Sequence, residues 1–313
     1  MLLSVLSALA GLVLLIFFSE QLVKATVGVA RSFGVSAFLV SVIFLGFDPE
    51  NLAVGAVASF EGAEGIAVGT ILGSAMVAIA LALGVAALLA PMRFDDVPIR
   101  IVAVPVLAAV LLGGLAVDGT LTRVDGAILV AGYVIAVLYL IHLSRSGVDI
   151  EAAGEVARDM PKAEQLGKPK AGALLAMAVV MILVASELLV NGVADIIRQL
   201  GLSETMIGMT ILAFAISIEE LARTVPAAIQ GRTEISVGNV VGSILAFFLL
   251  NAGAIAIVNP LPIGVVTAHF YLPIAIGTAV LVSAVLLTRR LPRWAGGLLV
   301  LLYVGFVLST SVI

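Results

Sequence analysis

Gly46–Gly84 reads GFDPENLAVGAVASFEGAEGIAVGTILGSAMVAIALALG, and Ala215–Gly253 reads AISIEELARTVPAAIQGRTEISVGNVVGSILAFFLLNAG. Aligned without a gap, the two stretches agree at 12 of 39 positions and lie 169 residues apart. Glu50/Glu219, Gly62/Gly231, Gly69/Gly238, Gly73/Gly242 and Ser74/Ser243 are among the shared pairs. Both copies place carboxylates inside hydrophobic sequence, where an intramembrane charge costs at least ~2.5 kcal/mol. Acidic, interrupted hydrophobic segments at matching places in two halves of a chain point to a transporter's substrate site.

The surrounding sequence is membrane sequence. Hydrophobic residues make up 62% of the 313, charged residues 12%, and mean hydropathy is +1.26. A soluble domain is nearer half apolar and one quarter charged. The long unbroken apolar runs predict helices rather than the short alternating strands of a membrane barrel. Ten spans are expected, near 2–18 (extending toward 30), 33–60, 64–90, 98–117, 124–146, 170–199, 203–229, 234–258, 265–288 and 294–312. The first lacks a basic leader and a small-residue cleavage site, so it reads as a span rather than a removed signal. With no cysteine, thiolate chemistry and disulfides are excluded.

The most polar stretch, between Ser144 and Lys170, splits the chain into a first repeat over 1–146, a cytoplasmic linker over 147–169 and a second repeat over 170–313. Five spans per half force the second half to enter the membrane in the opposite sense. The expected fold is thus an all-α polytopic membrane protein of two inverted five-helix repeats. Thirteen Lys and Arg fall in one set of alternate loops and two, Arg123 and Arg198, in the other. By the positive-inside rule both termini are then extracytoplasmic, in what is expected to be a prokaryotic plasma membrane. Upstream of the acidic segments the offset changes to 167, so the first half has lost two residues between Ser36 and Gly46.

Asp48-Pro49-Glu50-Asn51 has the grammar of a helix start: an N-cap Asp, Pro at the first helical position, a carboxylate in the first turn. Ser217-Ile218-Glu219-Glu220 reads as a capping box. Helices restarting in mid-membrane leave free carbonyls which, with nearby carboxylates, offer oxygen ligands to a hard cation. The G-x-x-x-G-S stretches at Gly69–Ser74 and Gly238–Ser243 favour close packing, and would bring the Ser74 and Ser243 hydroxyls toward the carboxylates. Arg223 follows Glu219 by four residues and Glu220 by three, so an internal salt bridge is expected that offsets part of the field attracting a cation. Glu20 and Glu187 read as interfacial, His142 and His269 carry no ligand spacing, and Asn239 and Asn251 read as packing residues.

GMTILAFAISIEEL over 208–221 and ISVGNVVGS over 235–243 resemble the signatures G-x-T-(I/L)-x-A-x-G-T-S-L-P-E-L and (I/L)-(A/S)-x-G-N-(I/V)-(I/V)-G-S of the cation/calcium exchanger superfamily, sodium/calcium exchanger membrane-region type. The resemblance covers essentially the whole chain. It implies Glu220 as the second-repeat cation-binding glutamate, with Ser217, Ser243 and Ser74 as hydroxyl ligands. In the first repeat, matching Pro-Glu selects Glu50 and counting back from Gly62 selects Asn51; Glu50 is favoured, with Asp48 and Asn51 beside it. The metal set is then Asp48, Glu50, Asn51, Ser74, Ser217, Glu219, Glu220 and Ser243, with Arg223 modulating it. Phe47 and Ile216 replace the family's Thr, and Ala78 and Phe247 replace polar residues that serve sodium coordination.

The expected function is a secondary antiporter, not an enzyme, exchanging Ca²⁺ or another divalent cation for Na⁺ or H⁺ by alternating access. Alternatives are a proton-coupled Mg²⁺ or monovalent cation exchanger, or a non-transporting scaffold or ion sensor in which Arg223 is a tethered cation. The expected partners are inorganic cations and the bilayer; no cofactor or nucleic acid is expected.

Overall fold

The computed structural model of the chain describes residues 1–32, 48–93, 99–145 and 168–310. The first part of the second expected span, the two-residue deletion, Phe47 and most of the linker expected over 147–169 lie outside the described residues. The order is α1 (Leu2–Ser32), α2 (Pro49–Phe60), α3 (Glu64–Leu89), β1 (Met92–Arg93), α4 (Ile99–Leu115), β2 (Thr120–Leu121), α5 (Arg123–Arg145) and α6 (Lys168–Leu200). Then come α7 (Glu204–Ile216), α8 (Ile218–Ile229), α9 (Thr233–Leu245, continuing through Ala246–Asn251 to Val258), β3 (Leu261–Pro262), α10 (Thr267–Leu287), β4 (Arg290–Leu291) and α11 (Arg293–Ser309). Among the described residues six helices are long and apolar enough to cross a membrane, and α7 with α8 makes a seventh candidate bent by 50°. The apolar helices α4 and α11 are shorter.

Helices α3 and α9 form the centre and are buried along most of their length, whereas α1 and α6 pack on each other and expose most of theirs. Small residues make that pairing close. A Cβ added to Gly11 would lie 2.5 Å from the Leu189 backbone nitrogen, and one on Gly192 2.6 Å from that of Ala8. The Ser7 hydroxyl donates to the Leu188 carbonyl at 2.9 Å.

Sequence-related elements make matching contacts. β1 pairs antiparallel with β4, Met92 opposite Leu291, and β2 with β3, Leu121 opposite Leu261. Gly84 of α3 sits against Gly296 of α11, and their counterparts Gly253 of α9 and Gly126 of α5 sit against each other, each backbone facing the other's carbonyl. Both central helices widen into a π-helical segment at equivalent places, Val77–Ala82 and Ala246–Asn251. Gly62 and Gly231, identical in the two stretches, close the turns after α2 and α8 with φ of +79° and +74°. Only glycine adopts that left-handed conformation without steric cost.

The crossed glycine contacts have a measurable consequence. A Cβ at Gly126 would lie 2.5 Å from the Gly253 carbonyl oxygen, and backbone cannot yield as a side chain can. Overpacking of this kind costs about 1–3 kcal/mol. Gly126→Val is therefore expected to lower the melting temperature in detergent clearly, while Gly114→Val, with nothing within 4 Å of its Cβ position, leaves it nearly unchanged.

Candidate cation site

The starts of α2 and α8 meet in the interior. Asp48 is the N-cap of α2, with φ −113° and ψ 104°, and Pro49 takes the first helical position where its missing N–H is harmless. Ser217 interrupts the seventh span with φ −112° and ψ 16°. Neither residue caps with its side chain. The capping box expected of Ser217 and Glu220 does not form, because Ser217 lacks the extended backbone such a cap requires and both side chains have other partners. The Ser217 hydroxyl donates to Asn51 Oδ1 at 3.3 Å. The Glu220 carboxylate accepts from the Ser243 hydroxyl at 2.9 Å and from the Asn239 amide.

A matching bond in the other half sets the register. The Ser74 hydroxyl donates to Asn51 Oδ1 at 2.6 Å, as Ser243 donates to Glu220, and each pair is separated by 23 residues. Asn51, not the favoured Glu50, is therefore the structural counterpart of Glu220. Glu50 is the counterpart of Glu219 and is itself buried. Matching Pro-Glu by residue type shifts the comparison by one residue against the ungapped alignment, which already sets Asn51 opposite Glu220.

Arg223 lies within the same centre and is 8% exposed. Its Nη1 is 2.5 Å from Asp48 Oδ1 and its Nη2 is 2.7 Å from Glu219 Oε2. The expected intrahelical pair with Glu219 forms. Glu220, three residues away, bonds to α9 instead, and the second carboxylate on Arg223 comes from α2. A guanidinium presents several donors in a fixed fork, so one side chain can hold two acceptors. Removing charge from such a buried set leaves an uncompensated partner, at a cost of about 3–5 kcal/mol.

The structure adds two residues to the centre. Asn239, expected only to pack, donates to Glu220 and to the Thr224 hydroxyl at 3.1 Å. The Ser236 hydroxyl in turn donates to the Thr224 carbonyl at 3.2 Å. The signal was present: Asn239 precedes Ser243 and Thr224 follows Glu220 by four residues, one helical turn on the same face. Asp48 Oδ2 and Asn51 Nδ2 are buried without a hydrogen-bond partner among the described residues.

Around Glu220 the centre offers one carboxylate, the Asn51 amide and the hydroxyls of Ser74, Ser217 and Ser243: hard oxygen donors of the kind that replace an ion's hydration shell. Among the described residues no group of three or more His, Cys, Asp or Glu side chains is gathered to hold a metal. Arg223 engages Asp48 and Glu219, and amides and hydroxyls supply much of the remaining polarity. Ala78 and Phe247 lie fully buried in the two π segments just beyond the serines. Widened turns of this kind recur at functional sites.

Elsewhere, Glu20 pairs with Lys24 at 3.5 Å, Glu187 is exposed, and His269 bonds the Val265 carbonyl one turn back. At the α2–α3 turn, Asn191 of α6 donates to Glu61 Oε1 at 3.1 Å. Desolvation pushes the Glu61 carboxyl above its usual value of 4.5, the Asn191 bond works against this, and the charge of Glu187 adds to it. A raised pKa means that the folded protein holds this proton more tightly than the unfolded chain. Glu61's contribution is therefore full below the ordinary carboxylate value and lost as pH rises through the raised one. Glu61→Gln is expected to flatten that part of the stability–pH curve, read by thermal melts across the mildly acidic range.

The sodium/calcium exchanger protein family matches residues 3–142 and 170–312. The putative antiporter CaxA of Alkalimonas amylolytica is 28% identical over 98% of each chain. The inner membrane protein YrbG of Escherichia coli is 29% identical over 98% of this chain and 95% of its own. The sodium/calcium exchanger MaX1 of Methanosarcina acetivorans is 26% identical over 96% of each. Among solved structures, the sodium-calcium exchanger NCX_Mj soaked with 2.5 mM Na⁺ and 1 mM Sr²⁺ superposes with a TM-score of 0.62 at 26% identity, covering 96% of both chains. With both halves matched and the polar centre lying between them, the chain belongs to the sodium/calcium exchanger protein family.

Proposed function

We propose that this cation antiporter carries Ca²⁺ or another divalent cation against Na⁺ or H⁺ by alternating access at the centre between α2, α3, α8 and α9. The observation that carries the reading is the matched pair of bonds Ser74–Asn51 and Ser243–Glu220 at the starts of two interior helices. Glu220 supplies the charge for the cargo. Asn51, Ser74, Ser217 and Ser243 supply neutral oxygens, Glu50 adds a buried carboxylate, and Arg223 tempers the field through Asp48 and Glu219. The chain break at Ser217 leaves the carbonyl end of α7 facing the same region, where the negative end of a helix dipole favours a cation.

Ten transmembrane helices in two inverted five-helix halves account for the crossed pairings of β1 with β4 and β2 with β3, which follow if a pseudo-two-fold axis exchanges the halves. The Lys and Arg asymmetry supports extracytoplasmic termini. Helices α1 and α6, paired with each other at the periphery, are the elements that shift to change access. Proton-coupled exchange of Mg²⁺ or a monovalent cation is the second reading. It is favoured by Ala78 and Phe247 and by the ion pairs that occupy two of the carboxylates.

Flux into proteoliposomes decides. Ca²⁺, Mg²⁺ and Mn²⁺ are offered separately against imposed Na⁺ or proton gradients. Ca²⁺ uptake driven by either gradient is the expected result; Mg²⁺ uptake driven by protons alone selects the second reading. Absence of gradient-driven flux with every pair overturns both.

A further inference from the structure

Two residues of α9 grip Glu220, and they differ in what they can offer a cation. The Ser243 hydroxyl donates to Oε1 at 2.9 Å, and the Asn239 amide, one helical turn earlier, donates to Oε2. Glu220 and Ser243 are fully buried and Asn239 is 3% exposed. A hydroxyl carries a proton and lone pairs, so Ser243 can rotate and turn its oxygen to a cation without moving it. An amide nitrogen only donates. Chemistry fixes which end of the Asn239 amide faces Glu220, because its oxygen in that place would repel the carboxylate. Both of its N–H groups have acceptors, the second being the Thr224 hydroxyl at 3.1 Å. Thr224 is held in turn, since the Ser236 hydroxyl donates to its carbonyl at 3.2 Å.

The internal repeat shows that this arrangement belongs to one half only. At a distance of 169 residues, the places of Thr224, Ser236 and Asn239 are taken by Gly55, Ala67 and Thr70. The Thr70 hydroxyl donates to the Ala67 carbonyl of its own helix at 2.8 Å, and Asn51 is left to Ser74 and Ser217. A Cβ on Gly55 would come within 3.0 Å of the Thr70 hydroxyl, so the first half has no room for a threonine there. The amide and its support thus stand beside Glu220, the charged member of the pair, and not beside neutral Asn51.

We propose that Asn239 is a fixed competitor of the cargo, a positioning residue whose N–H holds the Glu220 oxygen that a cation must take. It stabilises the buried carboxylate when the cargo departs, and so weakens binding and speeds release. A carrier needs that balance, because an ion held too tightly does not leave. The inference rests on the antiporter reading, in which Glu220 supplies the charge for the cargo.

The test removes the donor in two ways. Asn239→Thr copies the first half, and Asn239→Leu keeps the volume without a polar atom, should Asn239→Thr fail to fold. Binding of Ca²⁺, Mg²⁺ and Mn²⁺ to the purified full-length protein is titrated by calorimetry at alkaline pH, where protons compete least. Flux into proteoliposomes is measured over the same concentrations. A hydrogen bond to a charged group is worth about one decade or more in an equilibrium constant. The Kd of the bound cation is therefore expected to fall roughly tenfold, and the maximal flux to fall with it as release slows. A residue that only packs would leave the Kd unchanged or raise it, and an amide oxygen that binds the cation would raise it. Either result, in whichever variant folds, overturns the proposal while wild-type binding and flux stand. Absence of wild-type binding and flux with all three cations overturns the antiporter reading, and this proposal with it.

Discussion

Glu220→Gln is expected to abolish gradient-driven cation uptake while leaving the protein folded. The carboxylate is fully buried and accepts from Ser243 and Asn239, so the isosteric amide keeps its volume and a carbonyl oxygen for one of the two donors. It loses the charge. Depriving a buried charge of its partner costs about 2–5 kcal/mol, which at 1.4 kcal/mol per decade is roughly 30- to 4,000-fold in apparent affinity. Its hydrogen-bond partners, Ser243 and Asn239, are neutral and cannot replace it. Measured uptake should therefore fall to the level of empty vesicles at cation concentrations that saturate the wild type. Uptake within twofold of wild type would show that the cargo does not pass Glu220.

Replacing Arg223 should produce a protein that needs a cation from solution. In Arg223→Ser, Asp48 and Glu219 lose the guanidinium that lies 2.5 and 2.7 Å away and face each other inside the protein. The loss of a buried partner costs about 3–5 kcal/mol, so the melting temperature should drop markedly. A ligand that binds only the folded state restores about 2.7 kcal/mol at a hundred times its Kd. Millimolar Ca²⁺ or Na⁺ is thus expected to recover most of the lost stability in Arg223→Ser and to shift the wild type far less. Arg223→Lys, which keeps the charge but not the fork, should fall between the two. If added cations shift wild type and Arg223→Ser equally, Arg223 is not standing in for a cation.

Much of this was readable because it is local or repeated. The duplicated stretch announces two related halves, Asp48-Pro49 marks the start of α2, and Arg223 can reach Glu219 because four residues make one helical turn. What escaped is what depends on a neighbouring helix. The bond from Arg223 to Asp48 spans 175 residues and has no sequence signature. The bond from Ser74 selects Asn51 over Glu50, in agreement with the ungapped alignment and against the match by residue type, which slips by one residue. A one-residue slip on a helix turns a side chain by about 100° and moves it to another face. Asn239 was read as packing because a lone polar residue in an apolar helix reveals its partner only when the neighbouring helix is in place. The π segments at Val77–Ala82 and Ala246–Asn251 lie in unremarkable apolar sequence, where one additional residue per turn changes no composition.

The crossed glycine contacts also bear on how such a chain could arise. Gly84 meets Gly296 and Gly253 meets Gly126, so neither half closes its own central helix; each borrows the other's last helix as a wall. A single half would lack that wall, and two copies related by a two-fold axis would supply it to each other. In such a symmetrical pair every mutation appears twice. An arginine at the place of Arg223 would also appear at the place of Val54, adding a second guanidinium to the protein's interior. Fusion of the halves into one polypeptide removes that constraint. A joined, and thereafter lopsided, molecule can carry Arg223 on one side and Val54 on the other.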